Sequence, residues 1–212
     1  MKASFAALAG SVLLLTCPWA LAASSVDLTV KGSITPSACV PTLSQDGTVD
    51  YGKIASKDLS VDNSTELPRA TLQLNVSCEA ATLFALNGKD NRLGSAHFFL
   101  EHNYGLGLIN GNEKLGSYSI DLLNPISEVV VYPLFSSDQG QSWLMNSSGS
   151  YMGHRYWNAF SDTLGSGPHF PAALRSVTVD LSITTHIAPT RTLTLNEEVP
   201  LDGSASLDVL YL

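Results

Sequence analysis

The sequence predicts an all-β protein, an antiparallel β-sandwich, and three observations lead there. Apolar residues recur with period two in four separate stretches. Turn signals punctuate the chain between them, as Asn87-Gly88, Asn110-Gly111 and Asp202-Gly203. No window of a dozen residues carries the 3.6 period of an amphipathic helix. Several short strands broken in this way predict two packed antiparallel sheets.

The chain opens on a different kind of segment. Lys2 precedes a nearly unbroken apolar run from Ala6 to Leu15, and Ala20-Leu21-Ala22 supplies the small residues a signal peptidase needs. Residues 1–22 therefore read as a secretory signal peptide, cut after Ala22 or Ala23. The run is shorter than the roughly 20 residues a membrane-spanning helix requires. Cys17 leaves a lipoprotein anchor as the alternative, although Thr16 stands where that signal wants Gly, Ala or Ser.

With Cys17 removed, Cys39 and Cys78 remain, and two cysteines in an exported chain predict one disulfide. Closing a loop of about 40 residues stabilises by roughly 4 kcal/mol on the chain-entropy model. Neither cysteine has a His within fifteen residues, and no Cys-x-x-Cys occurs, so a metal or catalytic role lacks neighbours.

About 190 remaining residues suit one domain with long loops. The full chain has net charge −8, and without Lys2 it has 10 basic against 19 acidic residues, or −9. Such a chain repels phosphate backbones, which argues against nucleic acid as a partner.

The strands follow in order. Val26, Leu28 and Val30 alternate with Asp27, Thr29 and Lys31, and Ile34 resumes the same face after Gly32. Leu72, Leu74, Val76 and Cys78 share one face of a second strand, and Val177, Val179, Leu181 and Ile183 one face of a third. The chain ends on Ala205, Leu207, Val209 and Tyr211. Between these, residues 136–171 break the rhythm with Gly, Ser and six aromatics, and read as a hairpin followed by a long loop excursion. Within it, Ser136-x-Asp138-x-Gly140-x-x-Trp143 matches the Asp-box pattern of sialidases, a β-hairpin decoration in which Trp143 packs back on the strands.

Chemistry-bearing motifs are missing from the sequence. There is no Gly-x-Ser-x-Gly, no His-Glu-x-x-His and no Gly-rich phosphate loop. His97 and His102 lie five apart, which on a strand places them on opposite faces. Glu197-Glu198 reads as a solvated charge pair, and Asp90-Asn91-Arg92 as a turn cap. The reading is non-enzymatic, without metal or cofactor. His154-Arg155-Tyr156-Trp157 is the one cluster suited to ligand contact, with aromatic faces for a sugar ring and directional donors beside them. The competing reading of that cluster is a set of aromatics pinning a long loop to the sandwich.

Taken together, Val30-Lys31-Gly32-Ser33-Ile34-Thr35-Pro36-Ser37-Ala38-Cys39, the Cys39-to-Cys78 interval, Val49-Asp50-Tyr51-Gly52-Lys53-Ile54 and the terminal strand with penultimate Tyr211 resemble chaperone–usher fimbrial subunits. The likeness covers residues 23–89 and 199–212; the middle matches poorly, and the chain is longer than a typical shaft pilin. The resemblance implies an immunoglobulin-like, pilin-type sandwich lacking its final strand, in residues 36–212. It implies that residues 23–35 are a donor strand whose Val26, Leu28, Val30 and Ile34 fill a neighbour's groove, with Gly32 where no Cβ fits. It implies that Leu207, Val209 and Tyr211 face a periplasmic chaperone before assembly. The partners implied are that chaperone, an outer-membrane usher and neighbouring fimbrial subunits, with a host glycan as candidate ligand. The location implied is the periplasm in transit and then the fimbrium at the cell surface, with a part in adhesion. The alternative is a monomeric secreted carbohydrate-binding β-sandwich.

Overall fold

The computed structural model describes residues 29–30, 38–146 and 149–212. The expected signal peptide and four of the donor-strand residues, Val26, Leu28, Gly32 and Ile34, lie outside the described residues; Val30 is described and exposed.

Among the described residues fourteen strands follow one another: β1 (Cys39–Leu43), β2 (Thr65–Glu66), β3 (Ala70–Thr82), β4 (Phe84–Asp90), β5 (Asn103–Gly105), β6 (Leu108–Ile109) and β7 (Glu113–Lys114). Then come β8 (Gly116–Ser127), β9 (Tyr132–Ser136), β10 (Leu144–Met145), β11 (Ser150–Tyr151), β12 (Trp157–Ser161), β13 (Leu174–Ile187) and β14 (Ala205–Tyr211). One sheet runs β1-β3-β13-β8-β11, with β2 on β13 and β5 on β8; the other runs β10-β9-β12-β4-β14. A small β6-β7 hairpin stands apart. All pairings between strands are antiparallel, as expected.

The period-two faces close the core between the sheets. Leu72, Leu74, Val76 and Cys78 of β3 are buried, as are Val177, Val179, Leu181 and Ile183 of β13. Phe84 and Leu86 of β4 and Phe160 of β12 meet them from the second sheet. Cys39 lies opposite Cys78 in the β1–β3 register, and the two sulfurs are bonded across a separation of 39 residues.

Two expectations need correction. Asn87-Gly88 is no turn but the middle of β4. Asn87 is buried and its Nδ2 donates to the Tyr156 carbonyl, while a Cβ on Gly88 would stand 2.1 Å from the Tyr104 hydroxyl. The glycine serves a close approach, and the chain turns after Asp90, whose Oδ1 accepts from the Arg92 N–H. Asn110-Gly111 does turn β6 into β7, with φ of 50° and 89°. Asp202-Gly203 lies in the irregular segment before β14, where Gly203 packs on Leu106 and Tyr118.

The excursion at 136–171 is more ordered than its composition predicts. It begins with the expected β9–β10 hairpin: the Ser136 hydroxyl donates to Asp138, and Asp138 accepts from the Ser142 N–H. Trp143 packs back on Ala85, Leu134 and Ala159. The remainder, expected to be one loop, contains β11 and β12 before a loop at 162–173. β12 is a central strand between β9 and β4, covered on both faces, so its residues show no alternation to read.

Candidate functional site: the seam between β1 and β14

β1 forms one edge of the first sheet and β14 one edge of the second. Among the described residues, β1 pairs only with β3 and β14 only with β4. The two edges flank the same side of the sandwich, and a side chain joins them at one end: the Tyr211 hydroxyl accepts from the Cys39 backbone N–H at 2.8 Å.

Away from that contact the seam opens into a cleft of about 890 Å³. One wall is the segment after β1, where Val49, Tyr51 and Ile54 pack on the core. Asp50 Oδ1 receives the Gly52 N–H, and Gly52 takes a φ of 62°. The Tyr51 hydroxyl then reaches the Thr185 hydroxyl on β13 at 3.0 Å. The other wall is residues 195–207, with Leu195, Val199 and Leu207. The floor is apolar, with Leu72, Leu181, Ile183, Ile120 and Met152. Lys53 and Glu198 pair across the mouth at 2.8 Å, both well exposed. An exposed pair of this kind holds the walls weakly.

Leu207 and Val209 point at the main core yet stay only half-buried, while Leu210 packs on the small cluster around Trp143. Interior strands of the same sheet bury their inward residues fully. The difference follows from position, since β14 has a neighbour on one side alone.

The four-residue cluster expected to contact ligand is split by the structure. Arg155 and Tyr156 share Glu101: the Tyr156 hydroxyl donates to Oε2 at 2.9 Å and Arg155 Nη1 to Oε1 at 3.5 Å. That hydrogen bond to Glu101, helped by burial, raises the Tyr156 hydroxyl's pKa. Trp157 instead starts β12 and lies against the Gly140 turn, while His154 meets the edge of the Tyr104 ring. Arg155 and Tyr156 thus anchor their loop to Glu101, and Trp157 supports the hairpin.

A contact that the sequence did not single out stands nearby. His102 stacks on Tyr151 with ring centroids 4.3 Å apart, and Tyr151 is half exposed. Burial lowers the His102 pKa against the pull of Asp121 and Glu101, and burial raises that of Asp121. His102 and Tyr151 are 49 positions apart, so no local spacing announces their contact. No group of three or more metal-ligating side chains occurs among the described residues.

Comparison with known proteins bears on this frame. Residues 28–101 match the model of a family described as "Protein of unknown function (DUF1120)", a stretch spanning β1 to β4, both bonded cysteines and one wall of the cleft. The chain is similar to Protein GltF of Escherichia coli (strain K12), 27% identical over 233 residues, covering 91% of each chain. It is similar also to Uncharacterized protein YhcF of the same organism, 25% identical over 226 residues, covering 91% of this chain and 93% of that one. None of these descriptions names a fimbrial subunit; the likeness to the two relatives runs along nearly the whole length, and the family match covers residues 28–101.

Proposed function

We propose that this protein is a structural or minor subunit of a surface fimbria, assembled by donor-strand exchange through a periplasmic chaperone and an outer-membrane usher. The observation that supports the reading is the seam: two strand edges that have no partner among the described residues face an apolar cleft of about 890 Å³. Exposed edges of this kind invite pairing with another chain and are a hazard when left bare. A strand added there completes the backbone ladder and covers the cleft floor. Residues 23–35 have the period to do so, with four apolar side chains on one face. Burying each contributes roughly 1.5–3 kcal/mol before ordering costs. The disulfide fits an oxidising compartment, as export requires.

A second reading rests on the His102–Tyr151 stack beside Glu101 and Arg155. An aromatic face next to a carboxylate and a guanidinium is chemistry that holds a sugar, and it supports a monomeric carbohydrate-binding sandwich.

Fusing residues 23–35 behind Leu212 through a short flexible linker separates the two. The fimbrial reading expects the fused chain to accumulate as a stable monomer where the parent needs a chaperone. A parent chain that is already a stable monomer, with unfolding unchanged by the fusion, overturns it in favour of the sugar-binding module.

A further inference from the structure

Some of the exposed large apolar side chains lie at the two ends of the sandwich. At the end carrying the disulfide, the β8–β9 loop exposes Val129 and Val130, and the β12–β13 loop exposes Leu164 and Phe170. Strand direction places both loops there, because Ser127 pairs near the Cys78 end of the first sheet and Ser161 pairs with Tyr132 at the same end of the second. Val130 is 71% exposed and Phe170 69%. Two carboxylates stand on these loops, both exposed: Glu128, which accepts from the Arg175 and Ser176 N–H groups, and Asp162. The β8–β9 loop encloses a shallow hollow of about 350 Å³.

At the opposite end, Leu93, Leu108 and Leu201 are exposed. Arg92 binds Asp202 through its side chain, and the Asp202 N–H donates to the Leu106 carbonyl, so the three leucines sit on loops tied to one another.

We propose that these two apolar ends form a head-to-tail contact between successive copies of this chain. The inference rests on the donor-strand reading above and adds the surface that reading leaves open. Only residues 36–38 separate the donor segment from Cys39, and three extended residues span at most about 11 Å. Cys39 lies at the disulfide end. A segment laid in a neighbour's seam meets the Tyr211–Cys39 hydrogen bond at the neighbour's disulfide end, so the connection to its own subunit leaves at the other end. The short connection then brings Val130 and Phe170 of one copy against Leu93, Leu108 and Leu201 of the next. Two different patches meeting in this way repeat along a line rather than closing a dimer. Apolar patches on a lone monomer would be an aggregation liability; in the polymer each covers the other.

The test uses polymers formed by the concentrated full chain. Val130→Cys is paired in turn with Leu93→Cys, Leu108→Cys and Leu201→Cys under mild oxidation, the native cysteines being already bonded. At least one pair is expected to give a ladder that survives heating in SDS and collapses with reductant. Val130→Cys with Tyr151→Cys, on the side of the sandwich, is expected to give none. Separately, Val130→Asp with Phe170→Asp is expected to leave binding of a peptide of residues 23–35 within twofold, while polymer yield falls at least tenfold. Intact heat-sensitive polymers without any cross-linked ladder, or an unchanged yield in the aspartate variant, overturn the end-to-end contact and spare the donor strand. A peptide that does not bind, in a chain that forms no polymer, overturns both.

Discussion

The Tyr211 hydroxyl receives the Cys39 backbone N–H at 2.8 Å, joining β14 to β1 across two sheets. The donor it satisfies lies on the free edge of β1, next to the disulfide. Tyr211→Phe removes the acceptor and leaves that N–H to water, because the site is only part-buried. We expect a loss of about 0.5–1.5 kcal/mol in urea unfolding. Amide exchange should quicken at Cys39 before it does at Leu74 or Val76. Equal protection of Cys39 in both proteins would show that the hydrogen bond does not hold the seam.

Gly88 and Tyr104 make a second pair whose coupling is testable. The Tyr104 hydroxyl donates to the Met152 carbonyl at 2.6 Å, and a Cβ on Gly88 would stand 2.1 Å from that hydroxyl. Gly88→Ala should cost about 1–3 kcal/mol through overpacking. Tyr104→Phe clears the space, so the double variant should be less unstable than the two single losses added. Additive losses in a double-mutant cycle would place the strain elsewhere.

Much of the frame was legible because β3 and the first half of β13 each keep one face in and one face out. Asn87-Gly88 misled because the same dipeptide that permits a tight turn also permits a backbone to lie on a buried tyrosine. β12 escaped because Trp157 to Ser161 is covered on both sides and has no polar face. The seam was foreshadowed at its ends, by Tyr211 and by Val49 to Ile54, and in part of its floor, where Leu72, Leu181 and Ile183 lie on expected inward faces; the rest of the floor was not. Leu106, Ile120 and Met152 come together only through the β5–β8–β11 pairing. The His102–Tyr151 stack depends on the same pairing, which no local pattern encodes.

The Asp138 hairpin should show its hydrogen bonds in its titration. The Ser136 hydroxyl first, then the Ser142 hydroxyl and N–H, hold the Asp138 carboxyl down at about 2. A carboxyl lowered on folding stabilises fully above its unfolded value, near 3.9, and loses that contribution as pH falls through about 2. The hairpin should therefore be unaffected from pH 7 to 5 and loosen between about pH 4 and 2. Carboxyl resonances followed by NMR should give a midpoint near 2 for Asp138, and Asp138→Ala should abolish the acid-dependent change in Trp143 fluorescence. A midpoint near 4 would mean that the serines do not engage the carboxylate in solution.

The disulfide prediction separates folding from assembly. Cys39→Ser with Cys78→Ser should cost about 2–5 kcal/mol, mostly by freeing the unfolded chain. It also loosens β1, the edge on which a donor would pair. The purified native protein should contain no free thiol at Cys39 or Cys78, and titration with a thiol reagent before and after unfolding checks this directly.

The sharpest expectation concerns the two faces of residues 23–35. A labelled peptide of this segment, added to chain lacking it, should bind the seam with the Val26, Leu28, Val30 and Ile34 face inward. Leu28→Asp exchanges a buried leucine for a carboxylate. The lost burial alone, roughly 1.5–3 kcal/mol, weakens binding by about 10- to 150-fold at 1.4 kcal/mol per tenfold. Thr29→Asp lies on the outer face and should change the affinity by less than about threefold, within the range of surface substitutions. A one-residue slip in register would reverse these two results, since successive side chains point to opposite faces. Fluorescence anisotropy on the three peptides thus reads out both whether the strand binds and which way it faces. Equal affinities for all three would mean that the seam does not select the alternating pattern and that its occupant is something other than this segment.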